Sequence, residues 1–290
     1  MFFKEKILNL VVSLRRKNKK RDKVYFSRRF FHNPHLPIMD LDTSNLLAIE
    51  KIQQIKPGTV IDVGANIGKT LNNVLFIDEK IKYVGFEPQP FAAAMIQIFI
   101  NDNNLKDKII FPIGLSNKFS VEEFYSFGDD FSNFYNPAAT SDKSFVDNHK
   151  EKCLMRKIVL ENGDNLLKRL EIDEISAIKI DVEGAEVKVI EGLKDTISSK
   201  RPFLIFEMLP FLTRNLKEDE FFDECKSLIK LIRSFNMTIF SIMHSDITRT
   251  ITGIILFEDK DLNLKNNVTD YIAVPNEMLG DFNKILEEEF

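Results

Sequence analysis

The amino-acid sequence predicts an α/β protein with a mostly parallel central sheet. Short apolar segments alternate with helical segments in units of roughly 25 residues, a rhythm typical of βαβ crossovers. The apolar segments carry few polar residues, as expected for parallel strands that are buried on both faces. The chain is 44% hydrophobic and contains 26 Phe, which is enough for a sizeable core and argues against wholesale disorder.

The regular pattern begins with a helix predicted at residues 43–55. Asp42 or Thr43 would cap its first turn, and Pro57-Gly58 would end it. Alternating strands and helices follow. We predict strands at 59–63, 81–86 and 108–113, separated by helices at 69–77 and 91–100.

The rhythm breaks after the third strand. Residues 120–127 predict an extra strand that pairs with 156–160 as a small inserted hairpin, and a short helix is predicted at 164–170. Residues 128–149, between the two hairpin strands, are polar with several aromatic side chains, and we predict little regular structure there. A loop of this length inside a compact domain is more often functional than idle.

The alternation resumes in the second half of the chain. We predict strands and helices in turn at 175–180, 185–193, 203–206 and 219–235. Three further apolar segments are candidate closing strands, at 237–242, 251–257 and 271–274.

Residues 1–41 differ from the rest of the chain in charge. Between Met1 and Arg29, eleven Lys or Arg face two acids, which gives +9, whereas the whole chain carries −4 and the remainder therefore −13. Residues 3–16 place their apolar side chains on one helical face and run into a basic cluster, so they predict an amphipathic helix. Such a segment suits an anionic membrane surface, or else packs on its own domain or on a second subunit. We therefore divide the chain into a basic N-terminal segment, 1–41, and one domain, 42–290.

Several classes of protein are disfavoured by composition. The apolar stretch near the N-terminus is too short to cross a membrane, because a spanning helix needs about 20 such residues. Its basic cluster follows the apolar stretch, whereas a signal peptide is basic before it. We therefore expect a cytoplasmic protein whose basic segment can touch the inner membrane surface. The net charge of −4 argues against a general nucleic-acid partner, and Cys153 and Cys225 lie too far apart in sequence for a zinc cluster.

The first predicted strand ends in the segment Asp62-Val63-Gly64-Ala65-Asn66-Ile67-Gly68. Glycine there lets backbone amides approach a ligand, and the following helix directs its positive end to the same place. The spacing differs from the Gly-x-Gly-x-x-Gly of dinucleotide-binding proteins, since an acid stands where a pyrophosphate would be repelled. That acid suits a cationic ligand portion, and S-adenosylmethionine carries both an ammonium and a sulfonium group. A purely structural turn between strand and helix is the alternative.

Glu87 stands at the end of the second predicted strand, about 20 residues after the glycine turn. An acid at this point can accept hydrogen bonds from both hydroxyls of a ribose. Dehydrogenases share the feature, so Glu87 predicts an adenosine ligand without choosing the chemistry. The alternative is an acid that only ends a strand before Pro88.

A third acidic turn, Asp181-Val182-Glu183-Gly184-Ala185-Glu186, follows the strand at 175–180. Ligands of open α/β sheets bind beyond the carboxyl ends of the strands, so Asp62, Glu87 and Asp181 should meet in one crevice. For Glu183 or Glu186 the alternative is simple stabilisation of a helix N-terminus.

In this order, the segments resemble the FkbM family of methyltransferases. The resemblance covers residues 57–207, about half of the chain. The segments that carry it are 60–68, 84–90, 113–117, 178–186 and 202–207. One stretch departs from the family's pattern: a Thr-Leu-Asp-Asp-like run before the fourth strand is replaced by Leu160-Glu161-Asn162-Gly163-Asp164-Asn165.

The resemblance implies a Rossmann-like class I methyltransferase fold, with a mostly parallel seven-stranded sheet and helices on both faces. It also implies O-methylation with S-adenosylmethionine, frequently on a sugar hydroxyl of a glycan or a related metabolite. Cofactor contacts are implied for Asp62, Gly64, Asn66 and Gly68 around the methionine portion, for Glu87 at the ribose, for Gly114 near the adenine, and for Ala65, Pro88 and Asp181.

Methyl transfer to a hydroxyl requires the acceptor to be held in line with the methyl–sulfur bond, and it benefits from a base. We predict Asp181 or Glu183 as that base, with Glu207 and His244 as further candidates. Asp181 could instead bind the cofactor or a divalent metal ion, since oxygen ligands suit such cations. Substrate choice would lie in the chain flanks and in the loop at 128–149.

Three other functions are open at this point. An NAD-dependent oxidoreductase would share Glu87 but would need the dinucleotide glycine pattern and would have no use for Asp62. A non-catalytic protein of the S-adenosylmethionine-binding fold would bind the cofactor without turnover. A nucleic-acid methyltransferase is disfavoured by the acidic body and by the lack of an Asn-Pro-Pro-Tyr-type turn after the fourth strand.

Overall fold

The computed structural model describes residues 43–127, 153–208, 217–244, 251–258, 261–262 and 269–289. The predictions for the basic segment at 1–41 and for the loop at 128–149 lie outside the described residues. Within the described ranges, no helix combines the length and the apolar character that crossing a bilayer requires.

The described helices and strands alternate along the chain. The helices are α1 (Thr43–Ile55), α2 (Lys69–Ile77), α3 (Pro90–Asp102), α4 (Gly163–Arg169), α5 (Glu186–Gly192), α6 (Lys194–Lys200), α7 (Glu218–Ser234) and α8 (Leu279–Glu289). The strands are β1 (Thr59–Val63), β2 (Tyr83–Phe86), β3 (Lys108–Phe111), β4 (Gly114–Ser116), β5 (Ser120–Phe127), β6 (Cys153–Asn162), β7 (Ile175–Ile180), β8 (Phe203–Glu207), β9 (Met237–His244), β10 (Ile251–Leu256) and β11 (Asp270–Pro275). The sequence analysis predicts most of these elements and misses β4, α6 and α8.

The main sheet has the strand order β10-β9-β11-β8-β7-β1-β2-β3. The strands from β8 to β3 pair in parallel, whereas β11, β9 and β10 join in antiparallel register. The chain runs from β1 to one edge through β2 and β3, and it later returns to the other side of β1 through β7 and β8. The predicted fold class is therefore confirmed, and the strand order reverses beside β1, where α/β proteins of this kind bind ligands.

The main sheet has eight strands, so the count of seven implied by the resemblance is one too low. The additional strand is β10, which pairs with β9 as an antiparallel edge. Outside the inserted hairpin, the sequence pattern itself contains eight candidate strands, among them 251–257, and the number seven comes from the family. An extra edge strand leaves the order of the other seven unchanged.

A separate three-stranded sheet has the order β4-β6-β5. Its β5 and β6 form the predicted hairpin in antiparallel register, and β4 adds to β6 in parallel. The segment at 113–117, one of those that carry the family resemblance and for which no separate strand is predicted, is therefore partly a strand. Phe124, Ile158 and Leu160 form a small buried cluster on one side of this sheet.

Successive residues of the central strands contact different helices, as parallel strands buried on both faces should. In β8, Leu204 and Phe206 belong to a core cluster with the apolar residues of α7. Phe203, their neighbour in the strand, instead lies with its ring centroid 6.1 Å from that of Phe282 in α8. Helices thus cover both faces, and the carboxyl ends of β1, β2, β7 and β8 remain for a site.

Candidate active site

A cavity of about 290 Å³ lies at the carboxyl ends of β1, β2, β7 and β8, beside the reversal of strand order. The loops that follow these strands supply most of its wall, and β5 of the small sheet adds one aromatic side chain. The lining residues are Gly64, Ala65, Asn66, Ile67, Lys69, Thr70, Glu87, Pro88, Gln89, Phe124, Lys179, Asp181, Val182, Glu183 and Glu207.

The loop after β1 adopts a conformation that requires glycine. Gly64 and Gly68 have φ angles of 84° and 89°, and Asn66 between them has a φ of 46°. A Cβ on Gly64 would lie 1.9 Å from the carbonyl oxygen of Asp181, so the close approach at this glycine is to the β7 backbone. Gly64, Ala65 and Asn66 line the cavity, whereas Gly68 is buried at the start of α2 and is absent from the lining.

Asp62 lies behind the cavity wall and is fully buried. The Tyr83 hydroxyl donates a hydrogen bond to Asp62 Oδ2 over 2.7 Å, and Lys179 Nζ lies 3.6 Å from Asp62 Oδ1. Burial raises the pKa of Asp62, while Lys179 and Tyr83 act to lower it. The sequence analysis places this acid against a cationic ligand, whereas in the structure its neighbour is a cation of the protein itself.

Glu87 is held at the end of β2 by two backbone amides. Its Oε2 accepts from the Asn66 N–H over 2.7 Å, and its Oε1 accepts from the Gln89 N–H over 2.8 Å. Burial raises its pKa to about 7, against the lowering effect of these bonds. The Gln89 side chain donates a third hydrogen bond to this carboxylate. A carboxylate has about four acceptor positions, so one position is left for a hydroxyl donor in the cavity. Gly114 is buried behind this wall, where its Cβ would lie 3.6 Å from Pro88.

The acidic turn after β7 is folded back on itself. Glu183 and Gly184 have φ angles of 53° and 102°, and the first of these is strained for a residue with a side chain. Glu186 is buried, and its Oε1 accepts from the Gly184 N–H over 3.2 Å. The structural alternative therefore applies to Glu186, which orders the turn, whereas Asp181 and Glu183 line the cavity.

Besides Glu87, two further carboxyl groups of the cavity, those of Glu183 and Glu207, have raised pKa values. Burial, Asp181 and Glu186 raise the pKa of Glu183 to about 8, with Lys179 opposing the shift. Burial, Asp181 and Glu183 raise the pKa of Glu207 to about 9. These acids come from adjacent strands, β7 and β8, and together with Asp181 they form an acidic wall. The three base candidates predicted at the ends of these strands, Asp181, Glu183 and Glu207, therefore line the same cavity.

Several lining residues are missed by the sequence analysis. Lys179 lies in β7, and Asp181 follows it by two residues, just after the end of that strand. Their side chains leave the chain on the same side, and Lys179 Nζ lies 3.0 Å from Asp181 Oδ2. Phe124 comes from the inserted hairpin, and its position could not be inferred without the packing of the small sheet. His244 ends β9, and its side chain lies outside what the structure describes.

The described residues contain no group of three or more His, Cys, Asp or Glu that could hold a metal ion. The stretch that departs from the family's pattern has a structural role. Asn162 Oδ1 accepts from the Asn165 N–H and caps α4, and Asp164 accepts from the Asp195 and Thr196 N–H groups at the start of α6. These residues order two helices beside the small sheet.

The sequence matches the model of the methyltransferase FkbM domain over residues 62–236, more than half of the chain. Solved structures with a similar fold include the methyltransferase FkbM from Methylobacillus flagellatus, with 16% identity and a TM-score of 0.45. The match covers 74% of this chain and 43% of that one, so this chain spans less than half of the other's length.

Two further solved structures have a similar fold. An O-methyltransferase from Bacillus cereus in complex with S-adenosylhomocysteine has 11% identity and a TM-score of 0.45, covering 88% of this chain and 91% of that one. Fibrillarin from Aeropyrum pernix with bound S-adenosylmethionine has 10% identity and a TM-score of 0.39, covering 80% and 76%. No curated protein matches the sequence.

Proposed function

Since the chain belongs to the methyltransferase FkbM family, we propose that it transfers a methyl group from S-adenosylmethionine to a hydroxyl oxygen of a sugar, in a glycan or a related metabolite. The observation that carries this proposal is the excess of acids around the cavity. Four carboxyl groups line it, from Glu87, Asp181, Glu183 and Glu207, against two lysines, Lys69 and Lys179. Such a cavity attracts a ligand with net positive charge.

S-adenosylmethionine fits this charge distribution. Its sulfonium, ammonium and carboxylate groups sum to one positive charge, whereas the pyrophosphate of NAD is negative. Burial is the main cause of the raised pKa values of Glu183 and Glu207, near 8 and 9, and repulsion from neighbouring acids adds to it. A cationic ligand relieves that repulsion and a dinucleotide adds to it, so the cavity favours a methyltransferase over an NAD-dependent oxidoreductase.

The ribose, the adenine and the methionine portion of the cofactor also have candidate partners in the cavity. Glu87 would hold a ribose hydroxyl, because its two oxygens are fixed by backbone amides at 2.7 and 2.8 Å and one acceptor position remains beside the bond from the Gln89 side chain. Pro88, which lines the cavity beside it, offers an apolar surface to the adenine. The Gly64–Asn66 backbone would surround the methionine portion.

When bound, S-adenosylmethionine would supply the methyl group. Its methyl–sulfur bond would break as the C–O bond forms, leaving S-adenosylhomocysteine, and the acceptor oxygen would lose its proton. We assign that proton to the carboxylate of Glu183, with Glu207 as its neighbour on the same wall. Asp181 is less suited, because Lys179 Nζ already lies 3.0 Å from its Oδ2 and competes for that oxygen. A cationic ligand lowers the pKa of both glutamates, so Glu183 becomes an ionised acceptor when the donor is in place.

A binding experiment tests the cofactor. Thermal unfolding would be followed with S-adenosylmethionine, S-adenosylhomocysteine and NAD, and a ligand at 100 times its dissociation constant adds about 2.7 kcal/mol of stability. We expect stabilisation by both adenosyl compounds and its loss in Glu87→Ala. The matched control is Glu174→Ala, whose exposed carboxylate pairs with Lys56 away from the cavity. Stabilisation by NAD alone would overturn the proposal.

A turnover experiment tests the reaction and the acceptor. Methyl-labelled S-adenosylmethionine would be offered with monosaccharides, nucleotide sugars and oligosaccharides, and the product would be examined for an ether linkage. We expect label on a sugar oxygen and a large loss of rate in Glu183→Gln. Cofactor binding without turnover on any acceptor would favour a non-catalytic binding protein. Label on nitrogen or on a carboxylate would contradict the sugar assignment.

A further inference from the structure

We propose that Lys179 is a positioning residue of this site: its ammonium group joins the buried Asp62 carboxylate to the Asp181 carboxylate and holds the acidic wall in the arrangement that receives the methyl donor. The inference rests on the proposed function, since it concerns the same cavity. Lys179 belongs neither to the predicted base candidates nor to the predicted cofactor contacts.

The geometry around Lys179 places one cation between two acids of neighbouring strands. Its Nζ lies 3.0 Å from Asp181 Oδ2 and 3.6 Å from Asp62 Oδ1. The side chains of Lys179 and Asp62 are 9% and 0% exposed, whereas that of Asp181 is 39% exposed. Lys179 pairs with Asp62 in the register of β1 and β7, and it precedes Asp181 by two residues on the same side of β7. The lysine therefore connects a buried acid to one that reaches the cavity.

Asp62 needs this cation because its own hydrogen bonds are incomplete. Tyr83 donates to Oδ2, but Oδ1 makes no hydrogen bond within the described part of the chain. A carboxylate that is buried without a nearby cation is strongly destabilised and takes up a proton. Lys179 supplies the opposite charge, and it also lines the cavity, as Asp181 does.

Asp181 is fixed at its backbone, so Lys179 acts on its side chain. The Asp181 N–H donates to the Val63 carbonyl oxygen over 3.0 Å, and its own carbonyl lies against Gly64. With the backbone held in this way, side-chain rotation is the freedom that remains, and the ion pair with Lys179 restricts it. The same ammonium also acts on Glu183, because Lys179 lowers the pKa of that carboxyl group.

The charged and titratable groups that face this network come from five elements. Asp181, Glu183 and Glu186 belong to the turn after β7, and Glu207 ends β8. Asp62 and Tyr83 lie on β1 and β2, Glu87 ends β2, and Lys69 starts α2. Lys179 lowers the pKa of Glu183, whereas Asp181 and Glu186 raise it. Removal of Lys179 therefore takes away the cation that opposes these two acids.

The test separates positioning from simple neutralisation of Asp62. The variant Lys179→Met leaves Asp62 buried without its cation, so the variant protein should unfold more easily than the wild type. The double variant Asp62→Asn/Lys179→Met removes the buried charge as well and should recover most of that stability, with Tyr83 still able to donate to the amide oxygen. Lys179→Arg keeps the cation and serves as the conservative comparison.

The readout is the affinity for S-adenosylmethionine and for S-adenosylhomocysteine from pH 6 to 10, by titration calorimetry, which needs no acceptor. Both compounds lose the same ammonium proton in this range, at a pKa of about 8, so the effect of the sulfonium is the ratio of the two affinities, and that ratio rises with pH as the acidic wall ionises. In the double variant we expect the midpoint of that rise to move up by about one pH unit, because Glu183 has lost Lys179. Lys179→Arg should keep the wild-type midpoint, and the plateau affinity for the neutral compound should stay within about threefold in both.

The possible outcomes separate a failure of the inference about Lys179 from a failure of the proposed function. An unchanged midpoint in a stable double variant would show that Lys179 only neutralises Asp62. Loss of S-adenosylhomocysteine binding in both variants would make Lys179 a direct part of the binding pocket and would also overturn the inference. Failure of the wild-type protein to bind either compound would instead overturn the proposed function, and with it the premise of this inference.

Discussion

Tyr83 presents a buried hydroxyl group to a buried carboxylate, and this pair allows a sharp test of the site's energetics. The Tyr83 hydroxyl donates to Asp62 Oδ2 over 2.7 Å, and both residues are 0% exposed. The hydroxyl occupies the space above Gly85, where a Cβ would lie 2.6 Å from it. The change Tyr83→Phe removes the donor and leaves the ring.

Water cannot replace the donor in a site without solvent access, so Asp62 would lose the Tyr83 hydrogen bond without compensation and would keep only the hydrogen bond from the Thr70 side chain. The expected loss of unfolding free energy is about 1–3 kcal/mol, the cost of a buried acceptor that has lost its partner. The hydrogen bond from Tyr83 also lowers the pKa of Asp62, so its removal should raise that pKa further. In a domain of this size the melting temperature falls by about 2–4 °C for each kcal/mol.

The assay is urea denaturation of both the variant and a matched control. Tyr125→Phe provides the control, since the Tyr125 hydroxyl donates to Glu123 Oε2 over 2.6 Å at a site that is only partly buried. Water can satisfy Glu123 after the change, so the expected loss there is below about 0.5 kcal/mol. Equal losses for the two variants would refute the reasoning, because burial would then not decide the cost.

Three other changes test separate parts of the structure. The pKa of Glu207 is about 9 in the folded protein against an ordinary 4.5, so the folded state keeps a proton that the unfolded state loses, and stability falls as the pH rises from about 5 to about 9. Glu207→Gln should make that fall shallower by about 1.4 kcal/mol per pH unit, measured by urea denaturation across this range, and an unchanged slope would contradict the raised pKa. Gly64→Ala should greatly reduce the yield of folded protein, because its Cβ would lie 1.9 Å from a carbonyl oxygen, whereas Gly253→Ala, with no atom within 4 Å of its Cβ, should fold normally by circular dichroism. Asp164→Ala should cost about 1 kcal/mol in a thermal melt through the lost cap of α6, and Asp164→Asn should lose less; equal losses would show that the cap is not the cause.

The positions of the site residues along the chain are largely predictable, since they follow a rule of parallel sheets. Glu87, Asp181 and Glu207 each stand at or just after the carboxyl end of a strand, and these ends lie together beside the reversal of strand order. A sequence with clear strands and acids at their ends therefore indicates both the place and the sign of the site.

The orientation of each acid could not be predicted from the sequence, because it depends on which strands are neighbours. Asp62 and Lys179 stand next to each other only because β1 pairs with β7, strands that are more than 100 residues apart in sequence. No local pattern shows this pairing, so the sequence analysis assigns Asp62 to a ligand. Glu186 is similar: its carboxylate turns back to the Gly184 N–H because the turn includes two residues with positive φ.

The walls of the cavity differ in how freely they can vary, and this bears on where substrate choice lies. The loops after β1 and β7 are tied to each other through Gly64 against the Asp181 carbonyl, the Asp181 N–H on Val63, and the ion pairs of Lys179. A substitution in one of these loops shifts the other, so effects of paired changes there should not add. Phe124 reaches the same cavity from the small sheet, which is not part of that network of contacts between the two loops. On the proposed function, the tied loops would hold the methyl donor, and we expect a substitution at Phe124 to alter the choice of acceptor with less effect on cofactor binding than a substitution in either loop.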